Sequence, residues 1–517
     1  MANSVVVPKS LIIFGICVPL AVVVGYLMAT PFELTSFATV GLLFALLSIP
    51  VLMHWHYALL ILSWNAAVTV FFLPGEPNLW MLMAGISLFF TVLTRILNQE
   101  MRLQQVSSVT WALVILTVVI LVTAKLTGGI GLRSMGGNIY GGRKFYGLLA
   151  AVVGYFAISS IRIPPEKAMR YAALFFLTGI SASFGNIIYL AGEKFYWLYF
   201  FFPMDFAFSQ AIEDFYGGVS GVSFSRLSGF TFAGLAAVSY MLARDGIAGV
   251  LNLTKPWRFL VLSALLALSL LGGFRSIVAL FVLVFLIQFY FEGLFRTRLF
   301  VILALAGVLV GAVTLPFVSK LPLSVQRSLS FLPVEVHPAV RANTDGSTEW
   351  RIEMWKVLLP MVPQYFWIGK GYAINPSDLY LTEEAAKRGL AQDYEMSLIA
   401  GDYHSGPLSV LIPFGIFGVL GFGAFLLAGG RVMYHNYRHG DPALHSLNVF
   451  LFAYFVARVI FYLFLFGAFH SDMALFAGLI GLSIALNGGM SKPRPAERLN
   501  AARSEIDELP TTPASAA

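Results

Sequence analysis

Apolar runs long enough to cross a bilayer recur along almost the whole chain, and they constrain its fold more than any motif does. A spanning helix needs about 20 mostly apolar residues, because the hydrocarbon core is about 30 Å thick and every backbone polar group within it must be satisfied inside the segment. Such runs fall at 10–29, 36–53, 57–73, 78–95, 109–126, 145–161, 171–190, 228–243, 259–272, 276–292, 299–319, 405–430, 448–467 and 473–489. They predict an all-α polytopic membrane protein with about 12–14 transmembrane helices and one large, partly helical loop. With 58% hydrophobic and only 11% charged residues, the chain cannot be an ordinary soluble protein, where about a quarter of residues are charged.

The formal charge of +7 does not point to nucleic acid. The basic residues form no stripe. They sit in short clusters between apolar runs, as topology signals do. Arg95 and Arg102 share one loop; Arg162, Lys167 and Arg170 share another. Arg244, Lys255 and Arg258 follow, then Arg296 and Arg298, then Arg431 and Arg438, and the tail holds Lys492, Arg494, Arg498 and Arg503. The positive-inside rule makes these loops and both termini cytoplasmic, so an inner (cytoplasmic) membrane protein is expected. Segments 127–144, 191–227, the turn near Arg275 and 320–404 then face the periplasm or exterior. Lys9 followed by an apolar run is built like a signal peptide, but no small-residue cleavage site follows, so a retained first helix is expected. Cys17 is the one cysteine, which excludes an internal disulfide and a cysteine-based zinc site. The glycine-rich stretch 127–144 reads as a connector or a membrane-surface contact. The organisation expected is 1–319 membrane helices, 320–404 a large outer loop, 405–489 three further helices, and 490–517 a Pro/Ala/Ser-rich cytoplasmic tail without folded structure.

The segment 320–404 is far longer than a connector needs to be. It carries eight Lys and Arg residues on the outer side, against the topological trend, so those charges need another reason. Residues 348–359 read as an amphipathic helix with Trp355, Leu358 and Leu359 on one face and an N-cap near Thr348. Gly369-Lys370-Gly371-Tyr372 makes a turn; a lone Gly-x-Gly without a strand–helix context is weak evidence for phosphate binding. His404 closes the loop at the mouth of the next helix, where an imidazole can accept a proton near neutral pH.

In this order, Arg351, Trp355, Gly369-Lys370-Gly371, then His404 and a helix running to Phe414-Gly415-Ile416-Phe417-Gly418, the chain resembles the O-antigen ligase and O-antigen polymerase superfamily. Upstream, Arg226-Leu227-Ser228-Gly229-Phe230 and Gly272-Gly273-Phe274-Arg275-Ser276 resemble two shorter elements of that family, and the likeness extends over about 220–430. One departure is Ser405, where members often carry Asn after the histidine; the other is a surplus of helices at the N-terminal end.

The resemblance implies glycosyl transfer at the periplasmic face, from a glycan on an undecaprenyl diphosphate carrier to a sugar hydroxyl, on lipid A-core or on a growing glycan. Its partners would be those glycolipids and membrane lipids, with no cofactor and no metal. Ligase and polymerase share these residues and differ in acceptor. Arginines at a low-dielectric interface can stabilise a departing diphosphate without a metal. Arg275, Arg226 and Arg351 are the candidates, with His404 as general base, Asp402 to orient its ring, Glu349 as a second base and Trp355 beside the site. Each has a plainer reading. Arg275 can anchor a helix end by snorkelling, Arg351 can pair with Glu349 or Glu353, and His404 can be an interfacial histidine. His470-Ser471-Asp472 could join the site or, more plainly, cap the last helix through Ser471 or Asp472; Arg458, an ionisable group within an apolar run and so a functional candidate by default, could equally reach the interface by helix tilt and is left outside the site. Glu213-Asp214 reads as a surface acidic pair. The competing functions are a flippase for lipid-linked glycan, which would place charge inside several spans, and a non-catalytic envelope assembly protein.

Overall fold

The computed structural model describes residues 14, 17–23, 25, 34–73, 75–99, 104–131, 140–204, 225–390, 392 and 394–493. The run at 10–29 falls largely outside these residues, as do Glu213-Asp214 and the tail beyond 493. Among the described residues the chain is helical, with two isolated β-bridges and no strand. It divides into two compact units, Met1–Tyr57 and Ala58–Ala517.

In chain order the helices are α1 (Leu34–Trp64), α2 (Leu79–Leu97), α3 (Ser107–Leu126), α4 (Gly142–Ser159), α5 (Pro165–Leu177), α6 (Ser183–Ala191), α7 (Ser228–Val250), α8 (Pro256–Ser269), α9 (Arg275–Phe291) and α10 (Arg298–Thr314). The loop contributes α11 (Leu323–Leu329), α12 (Pro338–Leu358), α13 (Val362–Tyr365), α14 (Pro376–Lys387) and α15 (Glu395–Ala400). Then come α16 (Gly406–His439), α17 (His445–Phe464) and α18 (Phe469–Asn487). Among the described residues eight helical stretches are long and apolar enough to cross a membrane. α8 and α9 are shorter apolar helices.

Three expected runs differ in form. The runs at 36–53 and 57–73 share one helix, α1, which passes through His54 to Tyr57 and ends at Trp64. Polar side chains between apolar runs do not stop a helix, because its backbone bonds are internal. Beyond it Val68, Thr69 and Val70 are extended; Thr69 bridges to Asn78, and its N–H donates to the Phe201 carbonyl. β-branched residues favour that geometry. The run at 171–190 is broken into α5, a 3₁₀ turn at Thr178–Ala182 and α6.

The apolar side chains of α18 are almost all buried, packed against α4 and α16. Small residues allow that approach: Trp64 fits because Gly154 on α4 and Gly478 on α18 leave it room. α16 bends where Pro413 lacks an N–H and Gly415 takes φ +62°. The carbonyls of Ile412 and Pro413 accept from the N–H groups of Lys370 and Gly371, at 2.8 and 2.9 Å, and Ile416 N–H donates to the Phe366 carbonyl at 2.6 Å. The Gly-Lys-Gly turn is thus spent on repairing a kinked membrane helix, which fastens the loop to the bundle. Met354, Leu358 and Tyr403 of the loop form a small core with Ile412 of α16.

Candidate functional site

The loop covers a cavity of about 860 Å³ at one end of the bundle. Four elements bring arginines to it: Arg226 precedes α7, Arg275 opens α9, Arg327 lies in α11 and Arg351 in α12. Arg458, on α17, is a fifth. His404, Trp350 and Phe466 complete the wall, and Asp472 is the one carboxylate lining it among the described residues.

The end of α8 organises two of these cations. The 3₁₀ turn Leu270–Gly272 follows the helix, and Gly273 takes φ +67°. Exposed carbonyls at a helix C-terminus attract cations. Arg226 Nε donates to the Gly272 carbonyl at 3.3 Å, and its guanidinium lies over Phe274, 4.5 Å from the ring centre. Arg327 Nη1 donates to the Gly273 carbonyl, its Nε to Asn343 Oδ1 at 2.7 Å, and Ser328 Oγ to the Leu270 carbonyl at 2.8 Å. Gly229 packs against the Ala182 carbonyl, where a Cβ would lie 2.2 Å away.

Arg275 Nη2 reaches across to α12, donating to Ser347 Oγ at 3.1 Å and Thr348 Oγ1 at 3.3 Å. It sits at the first residue of α9, where the helix dipole disfavours a cation and favours an anion. The Arg351 Nε–H is buried and finds no hydrogen-bond acceptor among the described residues. Arg458 Nη2 pairs with Asp472 Oδ1 at 2.9 Å, and Asp472 Oδ2 accepts from the Ala468 N–H at 2.9 Å. The Arg458 charge is therefore locally balanced. Burial, then the fields of Arg226, Arg275 and Arg351, push Arg327 down to about 9. Burial and Arg275 also lower Arg351. Mutual repulsion of this kind is relieved by a multiply charged anion.

His404 takes φ +51°, a left-handed backbone uncommon outside glycine. Its ring lies between Trp350, centroid 5.0 Å away, and Phe466, 5.2 Å away. Burial first, then Arg351, push it down to about 4, with Asp402 pulling upward. The neutral imidazole is a free proton acceptor at neutral pH. The backbone before it is fixed by Trp355, whose Nε1 donates to the Tyr403 carbonyl at 2.9 Å.

Of the residues singled out from sequence, Arg226, Arg275, Arg351 and His404 line one cavity. Trp355 acts through the Tyr403 backbone. Asp402 pairs with Lys144 Nζ at 2.7 Å, and its Oδ1 lies 3.9 Å from His470 Nδ1. Glu349 is exposed and does not line the cavity. α12 starts at Pro338, capped by His337 accepting from the Ala339 N–H, so Thr348 is a mid-helix residue and not the cap. Arg327 carried no sequence signal: a lone arginine in a short polar segment shows its burial only once folded. Arg458 did carry one, as a charge inside an apolar run. Among the described residues no three His, Cys, Asp or Glu side chains are grouped to hold a metal.

The fold and this cavity define a polytopic membrane protein that gathers five arginines beneath a helical loop at one end of its bundle. Residues 259–423 match the family model described as O-antigen ligase. The matched segment holds Arg275, Arg327, Arg351 and His404; Arg226 and Arg458 lie outside it. No curated protein matches the chain.

Proposed function

We propose that the protein transfers a glycan from an undecaprenyl diphosphate carrier to a sugar hydroxyl at the periplasmic face of the inner membrane, without a metal. The observation that carries this reading is the convergence of five arginines on a cavity whose wall also bears a half-buried histidine. The diphosphate lies among Arg226, Arg275, Arg327 and Arg351, and the Arg351 Nε–H finds its acceptor there. The acceptor oxygen bonds to the anomeric carbon as the carbon–oxygen bond to diphosphate breaks. The hydroxyl proton passes to His404, and the carrier leaves as its diphosphate anion. Fixed guanidinium groups stabilise that growing charge at no reorganisation cost. The carrier lipid stays in the bilayer throughout, beside apolar helix faces.

The test is the surface-glycan profile of a deletion strain carrying wild-type, His404→Ala or Arg275→Ala protein. Glycan missing from lipid A-core with carrier-linked polymer retained identifies a ligase. Single repeat units in place of long chains identify a polymerase. Wild-type glycan in the deletion strain, or full rescue by both variants, removes the proposal.

A further inference from the structure

A second cavity, of about 780 Å³, lies beside the arginine cavity, and Phe232 and Ser471 line both. Its chemistry is different. Trp64 and Trp80, with rings 5.0 Å apart, form an almost wholly buried indole floor. Asn65 and Asn78 add amides, and the Asn78 side chain makes no cap hydrogen bond to α2 although it holds the N-cap position. Arg143 and Lys144 supply cations, and His470 adds an imidazole. Amides and indoles with a few cations recognise hydroxyl-rich rings bearing phosphate or carboxylate groups. Asn65 Nδ2 donates to the Phe175 carbonyl and Arg143 to that of Glu76, but a polar ligand still suits this wall better than a hydrocarbon chain, which would bond to none of it.

We infer that this second cavity, which shares Phe232 and Ser471 with the arginine cavity, is the subsite for the acceptor glycan, an anionic oligosaccharide. The inference rests on the glycosyl-transfer reading of the first cavity. A diphosphate donor fills the arginine side, so the attacking hydroxyl must reach the reaction centre from another direction, and the shared wall supplies one. The second cavity also touches the segment that bears His404. Lys144, in its wall, donates to the Ala400 carbonyl and to Asp402 Oδ1, two residues before the histidine. An acceptor bound there lies against the element that must take its proton.

The experiment uses the purified full-length chain in nanodiscs. The donor is carrier-linked glycan and the acceptor is glycolipid, both extracted from the deletion strain. Initial transfer rates are measured against each substrate with the other saturating. Two variants are compared with wild type. Asn78→Ala removes an amide. Gly147→Leu fills space, because a Cβ at Gly147 meets only Met81 Cε at 3.6 Å and the His470 carbonyl at 3.8 Å, ordinary contacts, and a longer side chain grows into the cavity. Each variant is expected to raise the half-saturating acceptor concentration about tenfold, as loss of one good polar contact does, and to leave donor saturation unchanged. Should Gly147→Leu not fold, Asn78→Ala, at a partly exposed helix end, decides alone. Unchanged acceptor saturation overturns the inference. A shift in donor saturation instead assigns the cavity to the donor's own sugars and also overturns it. If wild type transfers nothing, the transfer reading itself falls, a result distinct from either of these.

Discussion

Lys144 Nζ lies 2.7 Å from Asp402 Oδ1, tying the first turn of α4 to the segment that ends in His404. The pair is partly buried, with side-chain exposures of 18% and 38%, and a partly buried pair holds geometry better than a surface pair does. Lys144→Met should therefore let the 400–404 backbone relax and misplace the imidazole. The expected result is a kcat about tenfold lower with donor KM unchanged, since small displacements of a catalytic group cost rate before binding. Lys144→Arg, which keeps the charge, should recover much of that loss. Equal loss in both variants, or a loss confined to KM, would show that the contact does not position His404.

Acid titration should separate the free from the loaded enzyme. Burial and Arg351 hold His404 near 4, below the usual imidazole range. Its proton-accepting form therefore persists to low pH, and the acid limb of donor kcat/KM, which reports the free enzyme, should lie near 4. A bound diphosphate adds negative charge among the arginines, which favours the imidazolium. The limb in kcat should then lie at higher pH than the limb in kcat/KM. Arg351→Gln removes a cation that lowers His404, so its kcat/KM limb should move upward. A downward movement, or coincident limbs in wild type, would sink the assignment of His404 as base.

The cavity was partly legible before the fold was known, for a physical reason. Arg226, Arg275, Arg351 and His404 stand at helix ends or on a helix with a strong pattern, where spacing carries information. Arg327 stands in Ser324 to Ser328, five buried residues of which four are polar. Their burial comes from docking onto the end of α8, a tertiary event that local pattern does not encode. Asp402 illustrates the reverse case: closeness in sequence to His404 suggested contact with it, but the carboxylate pairs across the fold with Lys144 on α4. The bilayer made most helices readable. It did not reveal that α1 runs through His54 to Tyr57, because the helix condition is set by backbone bonds and not by polarity alone.

Arg327 should be the arginine whose loss harms folding as well as binding. Removing its side chain leaves the Gly273 carbonyl and Asn343 without their donor. A buried polar group so orphaned costs about 1–3 kcal/mol. Arg327→Met is expected to lower Tm in detergent and to weaken undecaprenyl diphosphate binding about tenfold. Arg388→Met, at a side chain 72% exposed, should change neither. If Arg327→Met keeps both wild-type Tm and wild-type affinity, the guanidinium neither anchors α8 nor faces the anion.

Charge stabilisation by arginine predicts indifference to chelators. With transfer measured in nanodiscs, EDTA should leave the rate unchanged and added Mg²⁺ should not stimulate it. Loss of activity in EDTA, restored by a divalent cation, would assign the diphosphate's countercharge to a metal instead.

The kink in α16 should prove necessary for stability, since it is where the loop is fastened. Gly415 adopts φ +62°, and a Cβ there would lie 2.5 Å from the Trp367 carbonyl and 2.7 Å from that of Phe366. Alanine at this position meets both a conformational penalty of about 1–3 kcal/mol and a backbone clash that no rotamer can relieve. The clash displaces the segment 366–371, whose Lys370 and Gly371 N–H groups satisfy the Ile412 and Pro413 carbonyls, freed by the kink inside an apolar helix. Gly415→Ala should therefore lower Tm by several degrees and reduce the amount of folded protein in the membrane. Gly423→Ala, on the same helix with nothing within 4 Å of the added Cβ, should be neutral or slightly stabilising. Equal behaviour of the two variants would mean that the helix does not hold the loop through this bend, and that His404 owes its position to other contacts.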